Sequence, residues 1–128
     1  MRALWILPAG TRALYRGSEM NPAHCVNLPR DADGFLLDWH DWNDSCAELL
    51  ASEEHIELMP AHREILLMLR SYYARHEHSP AMRALVSLTR RELGPDKGRS
   101  IYLLQLFPGS PARLASKIAG LPKPEHCL

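Results

Sequence analysis

The placement of proline and glycine constrains this chain more than any other feature. Proline fixes φ and removes a backbone donor, so it is tolerated in the first turn of a helix and excluded from the interior. Pro60, Pro80 and Pro111 each head a stretch of helical apolar spacing, while Gly94-Pro95 and Gly120 close such stretches. The pattern predicts five helices. The first, capped by Asp41, runs to about Ser52 with Trp42, Cys46, Leu49 and Leu50 at helical intervals. The second opens at Pro60 and carries Ile65, Leu66, Leu69, Tyr72 and Tyr73 to about His76. The third starts at Ser79-Pro80, with Met82, Leu85, Val86, Thr89 and Leu93 inward. The fourth spans about Asp96 to Leu106, and the fifth runs from Pro111, with Ser110 as N-cap, to about Ala119.

Ahead of the helices, Asn27-Leu28-Pro29-Arg30 and Phe35-Leu36-Leu37 flank Asp31-Ala32-Asp33-Gly34, whose Asp-Gly pair signals a turn. Val26 to Leu37 is therefore predicted as a hairpin, which must pack on helices because two short strands alone are marginal. A chain of 128 residues, 46% of them apolar, has room for one core. The expected fold class is mainly α: a small N-terminal β-hairpin packed on a bundle of about five helices, ending in a flexible C-terminal arm.

That arm is Gly120-Leu121-Pro122-Lys123-Pro124-Glu125-His126-Cys127-Leu128. Pro122 and Pro124 exclude helix and central strand, so residues 120–128 are expected to be mobile. Cys127 follows Gly120 by seven residues and could sweep up to about 24 Å at roughly 3.3–3.6 Å per residue. A thiol presented in this way can attack a sulfane sulfur, hold it as a persulfide and offer it to the next nucleophile. Lys117, Lys123 and His126 are the nearby groups that would favour the thiolate. The residues alone equally allow an incidental cysteine on a frayed tail.

Charge sums to zero but is uneven: residues 1–59 hold four basic and ten acidic residues, and residues 60–128 hold eleven basic and five acidic. The C-terminal half suits an acidic partner or a polyanion, or is simply solvated. Three cysteines without framework spacing read as reduced thiols in the cytoplasm. Cys46 reads as a buried small hydrophobe, and Cys25 as an exposed spectator or a resolving thiol. The pairs His24-Cys25 and His126-Cys127 lack an accompanying Cys-x-x-Cys or His-x-x-x-His, so neither metal nor cofactor is expected, and His76-Glu77-His78 reads as a solvated helix end. No stretch approaches membrane-spanning length. Met1 to Gly10 imitates the start of a signal peptide, but Pro8 cuts its apolar run and Arg12 and Arg16 follow. Residues 1–19 are expected to be an extension outside the fold or an artefact of start-codon choice, leaving a domain at 20–128.

The segment from Gly94-Pro95-Asp96-Lys97-Gly98-Arg99-Ser100-Ile101-Tyr102-Leu103 through Leu106-Phe107-Pro108, Pro111-Ala112, Lys117 to Pro124 and Cys127 resembles the DsrC/TusE family of sulfur-relay proteins. Upstream, Asp33-Gly34-Phe35-Leu36, Trp42, Ile56-Glu57-Leu58, His62, Leu69-Arg70, Tyr73 and Ser79-Pro80-Ala81-Met82-Arg83 match the same family, so the resemblance runs from about Asp31 to Leu128. It implies a DsrC-like fold and a cytoplasmic sulfurtransferase, in the relay sense, working through Cys127. Family members divide by a second cysteine eleven positions before the penultimate one. Here that position is Ser116, so the resemblance points to the single-cysteine, TusE-like type. Such members accept persulfide sulfur from a TusBCD-type donor complex and pass it to a tRNA 2-thiouridylase acting, with its tRNA, on wobble uridine.

Two other readings stand beside this one. The chain could be a DsrC-like accessory or regulatory protein binding a sulfite reductase or a sulfur-oxidation complex. Alternatively, the third and fourth helices, split by Gly94-Pro95, could act as a helix-turn-helix on nucleic acid. Arg83, Lys97, Arg99, Lys117, Lys123 and His126, with Arg90, are expected around the arm or a docking face. The sequence departs from the family at Arg63, where tryptophan is usual, and at Ser110, where glycine is usual.

Overall fold

The computed structural model describes residues 25–125. The proposed extension at 1–19 and His126, Cys127 and Leu128 lie outside the described residues. A 3-10 turn at Trp39–Asp41 precedes five α-helices: α1 (Asp44–Glu53), α2 (Pro60–His76), α3 (Met82–Leu93), α4 (Ser100–Leu106) and α5 (Pro111–Ile118). Pro60 and Pro111 occupy first turns, as their missing N–H and fixed φ dictate. Among the described residues, no helix is long and apolar enough to cross a membrane.

α5 is the hub of the bundle. It packs against α1, α2, α3 and α4, and all of its residues except Arg113 are buried. Its small side chains Ala112, Ala115 and Ser116 let the neighbouring helices close around it, with Leu50, Ile65, Leu69, Leu85, Leu103 and Ile118 filling the core. Each such buried aliphatic side chain stabilises the fold by about 1.5–3 kcal/mol. His62 is locked into the same core. It accepts from the Met59 N–H on Nδ1 at 3.0 Å, so its Nε2 is the donor to the Leu106 carbonyl at 2.8 Å. Arg63, one of the departures from the family, pairs with Asp44 and Glu48 and ties α2 to α1.

Val26 to Leu37 does not form the expected β-hairpin. A single antiparallel bridge, Arg30 to Leu36, closes the turn. The Asp31 carboxylate accepts from the Phe35 N–H at 3.0 Å, diverting that donor from a ladder. Phe35 and Leu36 are both buried, which the alternation of a half-buried strand does not allow.

Helix starts shift for similar reasons. Asp41 belongs to the 3-10 turn, and Asn43 instead caps α1 by accepting from the Cys46 N–H at 3.1 Å. α3 begins at Met82 rather than at Ser79-Pro80, with Ala81 as its N-cap. α4 begins at Ser100 because residues 95–98 turn back onto α3, where Gly98 lies so close to Arg90 that a Cβ would stand 2.3 Å from the Arg90 Cα.

Candidate functional site at the root of the C-terminal arm

As far as Glu125, the arm departs from the picture of a strap that swings from Gly120. Leu121 and Pro124 are buried, and the Leu121 N–H donates to the Ser116 carbonyl at 3.0 Å. Prolines remove donors but leave carbonyls, and three side chains supply the missing donors. Trp42 Nε1 donates to the Ile118 carbonyl at 2.8 Å, Arg70 to the Ala119 carbonyl at 2.9 Å, and the Ser79 hydroxyl to the Pro122 carbonyl at 2.6 Å. Ser79 therefore serves the arm and not the N-terminus of α3. Gly120 has φ +76 and lies under Trp42, where a Cβ would fall 2.4 Å from the indole Cδ1.

Arg70 also donates to the Trp39 carbonyl at 2.9 Å. Its guanidinium lies 4.3 Å from the Trp42 ring centroid and 5.0 Å from that of Trp39. Burial pulls its pKa down to about 10, so it stays protonated at neutral pH. One cation thus joins the turn carrying both indoles to the end of α5. Sequence reasoning passed over Trp42, Arg70 and Ser79 as site residues. The available signal was their presence among the segments shared with the family.

The basic residues named from sequence do not converge on the arm. Lys117 is interior, only 8% exposed in its side chain, and pairs with Glu54 at 2.6 Å and Glu53 at 3.6 Å. Glu53 also binds Arg30 through both oxygens, which holds its carboxyl below the usual range. Lys97 pairs with Glu64 at 2.7 Å, and that hydrogen bond raises its pKa. Arg90 donates to the Gly98 carbonyl, while Arg83 and Arg99 are exposed. Lys123 is the one placed on the arm itself, 3.4 Å from Asp33; His126 and Cys127 lie outside the described residues. α4, the would-be recognition helix, turns Ile101 and Leu104 to solvent rather than basic side chains.

Cys25 and Cys46 are not free thiols. They form a disulfide with their Cα atoms 5.2 Å apart, joining the first described residue to α1. Ser116, at the family's second cysteine position, is fully buried, and its hydroxyl has no hydrogen-bond partner among the described residues. Nor do the described residues bring three or more His, Cys, Asp or Glu side chains into a group that could hold a metal ion.

Comparison with known proteins agrees with this architecture. A family model described as "DsrC like protein" matches residues 23–128. The chain is 46% identical over 103 residues to "Sulfurtransferase TusE homolog" of Haemophilus influenzae, covering 80% of this chain and 94% of the relative. It is 43% identical over 102 residues to "Sulfurtransferase TusE" of Buchnera aphidicola, covering 80% and 90%. The NMR structure of Allochromatium vinosum DsrC superposes with a TM-score of 0.70 at 40% identity, covering 77% of this chain and 88% of that one. The oxidised gamma-subunit of the dissimilatory sulfite reductase (DsrC) from Archaeoglobus fulgidus gives a TM-score of 0.67 at 40% identity, covering 79% and 92%.

Proposed function

The chain belongs to the DsrC-like family, and on that premise we propose that it takes sulfane sulfur as a persulfide on Cys127 and hands it on. It is a sulfurtransferase in a sulfur relay, as its TusE relatives are named. The observation that carries the assignment to Cys127 is the family match reaching residue 128, and so including the arm and its penultimate cysteine.

The chemistry balances without a cofactor. The Cys127 thiolate attacks the outer sulfur of a donor persulfide, a new S–S bond forms as the donor's S–S bond breaks, and the donor leaves as a thiolate. An acceptor nucleophile then repeats the exchange on the Cys127 persulfide, with no net oxidation. Lys123, on the arm, and His126, beside the thiol in sequence, are positive or proton-bearing groups that would favour the thiolate.

The proposed setting is the cytoplasm, with a TusBCD-type complex as donor and a tRNA 2-thiouridylase as acceptor. Service to a sulfite reductase through a two-cysteine cycle is the weaker alternative, because Ser116 offers no thiol and is buried. Incubation with a cysteine desulfurase and its relay proteins, followed by mass spectrometry of the arm peptide, tests the reading. Wild type should gain sulfur on Cys127, and Cys127→Ser should gain none while keeping its thermal midpoint. Undiminished loading and acceptor thiolation in Cys127→Ser would exclude the carrier role.

A further inference from the structure

We propose that Trp42, Arg70 and Ser79 are positioning residues for sulfur transfer: they clamp the root of the arm so that Cys127 works on a short tether from a fixed point. The inference rests on the sulfur-carrier reading above. Its basis is that three donors, from three separate segments, take three carbonyls of one strand of chain. Trp42 precedes α1, Arg70 lies within α2 and Ser79 lies between α2 and α3. Their acceptors, Ile118, Ala119 and Pro122, follow one another out of α5 into the arm.

The last carbonyls of a helix have no partner within it, and water could satisfy them at no structural cost. Here side chains do so instead, and Gly120 lets the chain pass against the Trp42 ring at a distance that no Cβ permits. With Leu121 and Pro124 also buried, the described part of the arm is held as far as Pro124, which precedes Cys127 by three residues in sequence where Gly120 precedes it by seven. Three residues span at most about 10 Å. Effective concentration falls roughly as the −3/2 power of linker length, so lengthening the tether from three residues to six dilutes the thiol about threefold at a docked partner's sulfur.

Ser79→Ala removes one hydroxyl and should free the chain from Pro122 onward. Trp42→Phe keeps a ring but removes the indole donor. We expect Ser79→Ala to lower kcat/KM for sulfur transfer about threefold when a cysteine desulfurase and its relay proteins supply sulfur from L-cysteine, and to speed amide exchange at Lys123 and Glu125. Trp42→Phe, which leaves the Ser79 bond to Pro122 in place, should act in the same direction by a smaller factor. Alkylation of Cys127 by iodoacetamide should keep its wild-type rate, because a small reagent needs no directed approach. Ser79→Thr, which retains the hydroxyl, should restore relay transfer, and this rescue separates positioning from general loss of fold. Wild-type kcat/KM in both Ser79→Ala and Trp42→Phe, or an equal fall in alkylation and relay transfer, overturns the clamp. Failure of the wild-type protein to load Cys127 would instead overturn the carrier reading and leave the exchange result to judge the clamp as a structural feature.

Discussion

Reducing the Cys25–Cys46 bond gives the most quantitative test of the structure. The bond closes a loop between residues 21 apart in sequence. In the chain-entropy model, a closed loop of about that length removes roughly 11 cal/mol/K from the unfolded ensemble, or about 3 kcal/mol at 25 °C. The folded state should lose little of its own on reduction. Asn43 Oδ1 lies 3.8 Å from the Cys25 sulfur and the Asp41 carbonyl 4.0 Å from that of Cys46, so both thiols released inside the protein have acceptors nearby. Urea melts with and without dithiothreitol should differ by about 3 kcal/mol, and thermal midpoints by roughly 10 °C for a domain of this size. The Cys25→Ser/Cys46→Ser double variant should melt near the reduced wild type and ignore the reductant. Under native, non-reducing conditions an alkylating reagent should label Cys127 alone; after reduction and unfolding it should label all three cysteines. A difference under about 1 kcal/mol, or labelling of Cys25 in the folded oxidised protein, would refute the linkage. The pair also bears on function: oxidised, it leaves Cys127 as the one cysteine outside it, and where a reducing cytoplasm opens the bond, Cys25 and Cys46 are still buried and so withheld from sulfane sulfur.

Two further substitutions probe the arm's root and the hub helix. Gly120→Ala forces φ +76 on a residue with a Cβ and drives that carbon into Trp42. The left-handed backbone costs about 1–2 kcal/mol and the displaced indole hydrogen bond about another 1 kcal/mol, so a loss of about 2–3 kcal/mol is expected in urea melts, with a changed tryptophan emission. An unchanged melt would mean that Gly120 and Trp42 are not in contact. Ser116→Ala should go the other way, because it removes a buried hydroxyl that lacks a partner, and a gain of about 1 kcal/mol is expected. A loss of stability would show that the hydroxyl is satisfied in solution.

Local backbone chemistry made much of the fold legible. Pro60, Pro111, Gly94 and Gly120 mark helix ends by φ restriction or freedom alone, which requires no knowledge of the rest of the chain. What sequence hid depends on distant partners. Ser79-Pro80 looks like a helix start, and nothing local says that the hydroxyl belongs to a carbonyl 43 residues away. Lys117 reads as a surface cation until α1 brings Glu54 beside it, 63 residues off in sequence. The hairpin failed because the turn's own Asp31 took the Phe35 donor that a ladder needed. Arg70 lies between the apolar positions of α2, and nothing local to it announces the two indoles and two carbonyls that surround it. Cys25 and Cys46 show no spacing that announces a bond.

The residue types at the arm's root follow from the arm's own composition. With proline at 122 and 124, the chain just beyond Gly120 lacks every second backbone N–H, yet every residue still presents a carbonyl. The Leu121 N–H ties the start of the segment to Ser116, and donors from elsewhere must take its carbonyls. Trp and Arg side chains are donors without acceptor capacity, so neither competes for the arm's scarce N–H groups, and the single hydroxyl of Ser79 is spent on Pro122. A segment held through its carbonyls can be fixed up to Pro124 without forming a strand or helix that would have to unravel for a partner to approach. The prolines that bar regular structure and the side-chain donors that replace it are therefore two halves of one arrangement. Substitutions that keep shape but remove a donor, such as Trp42→Phe and Ser79→Ala, separate holding the arm from packing beneath it.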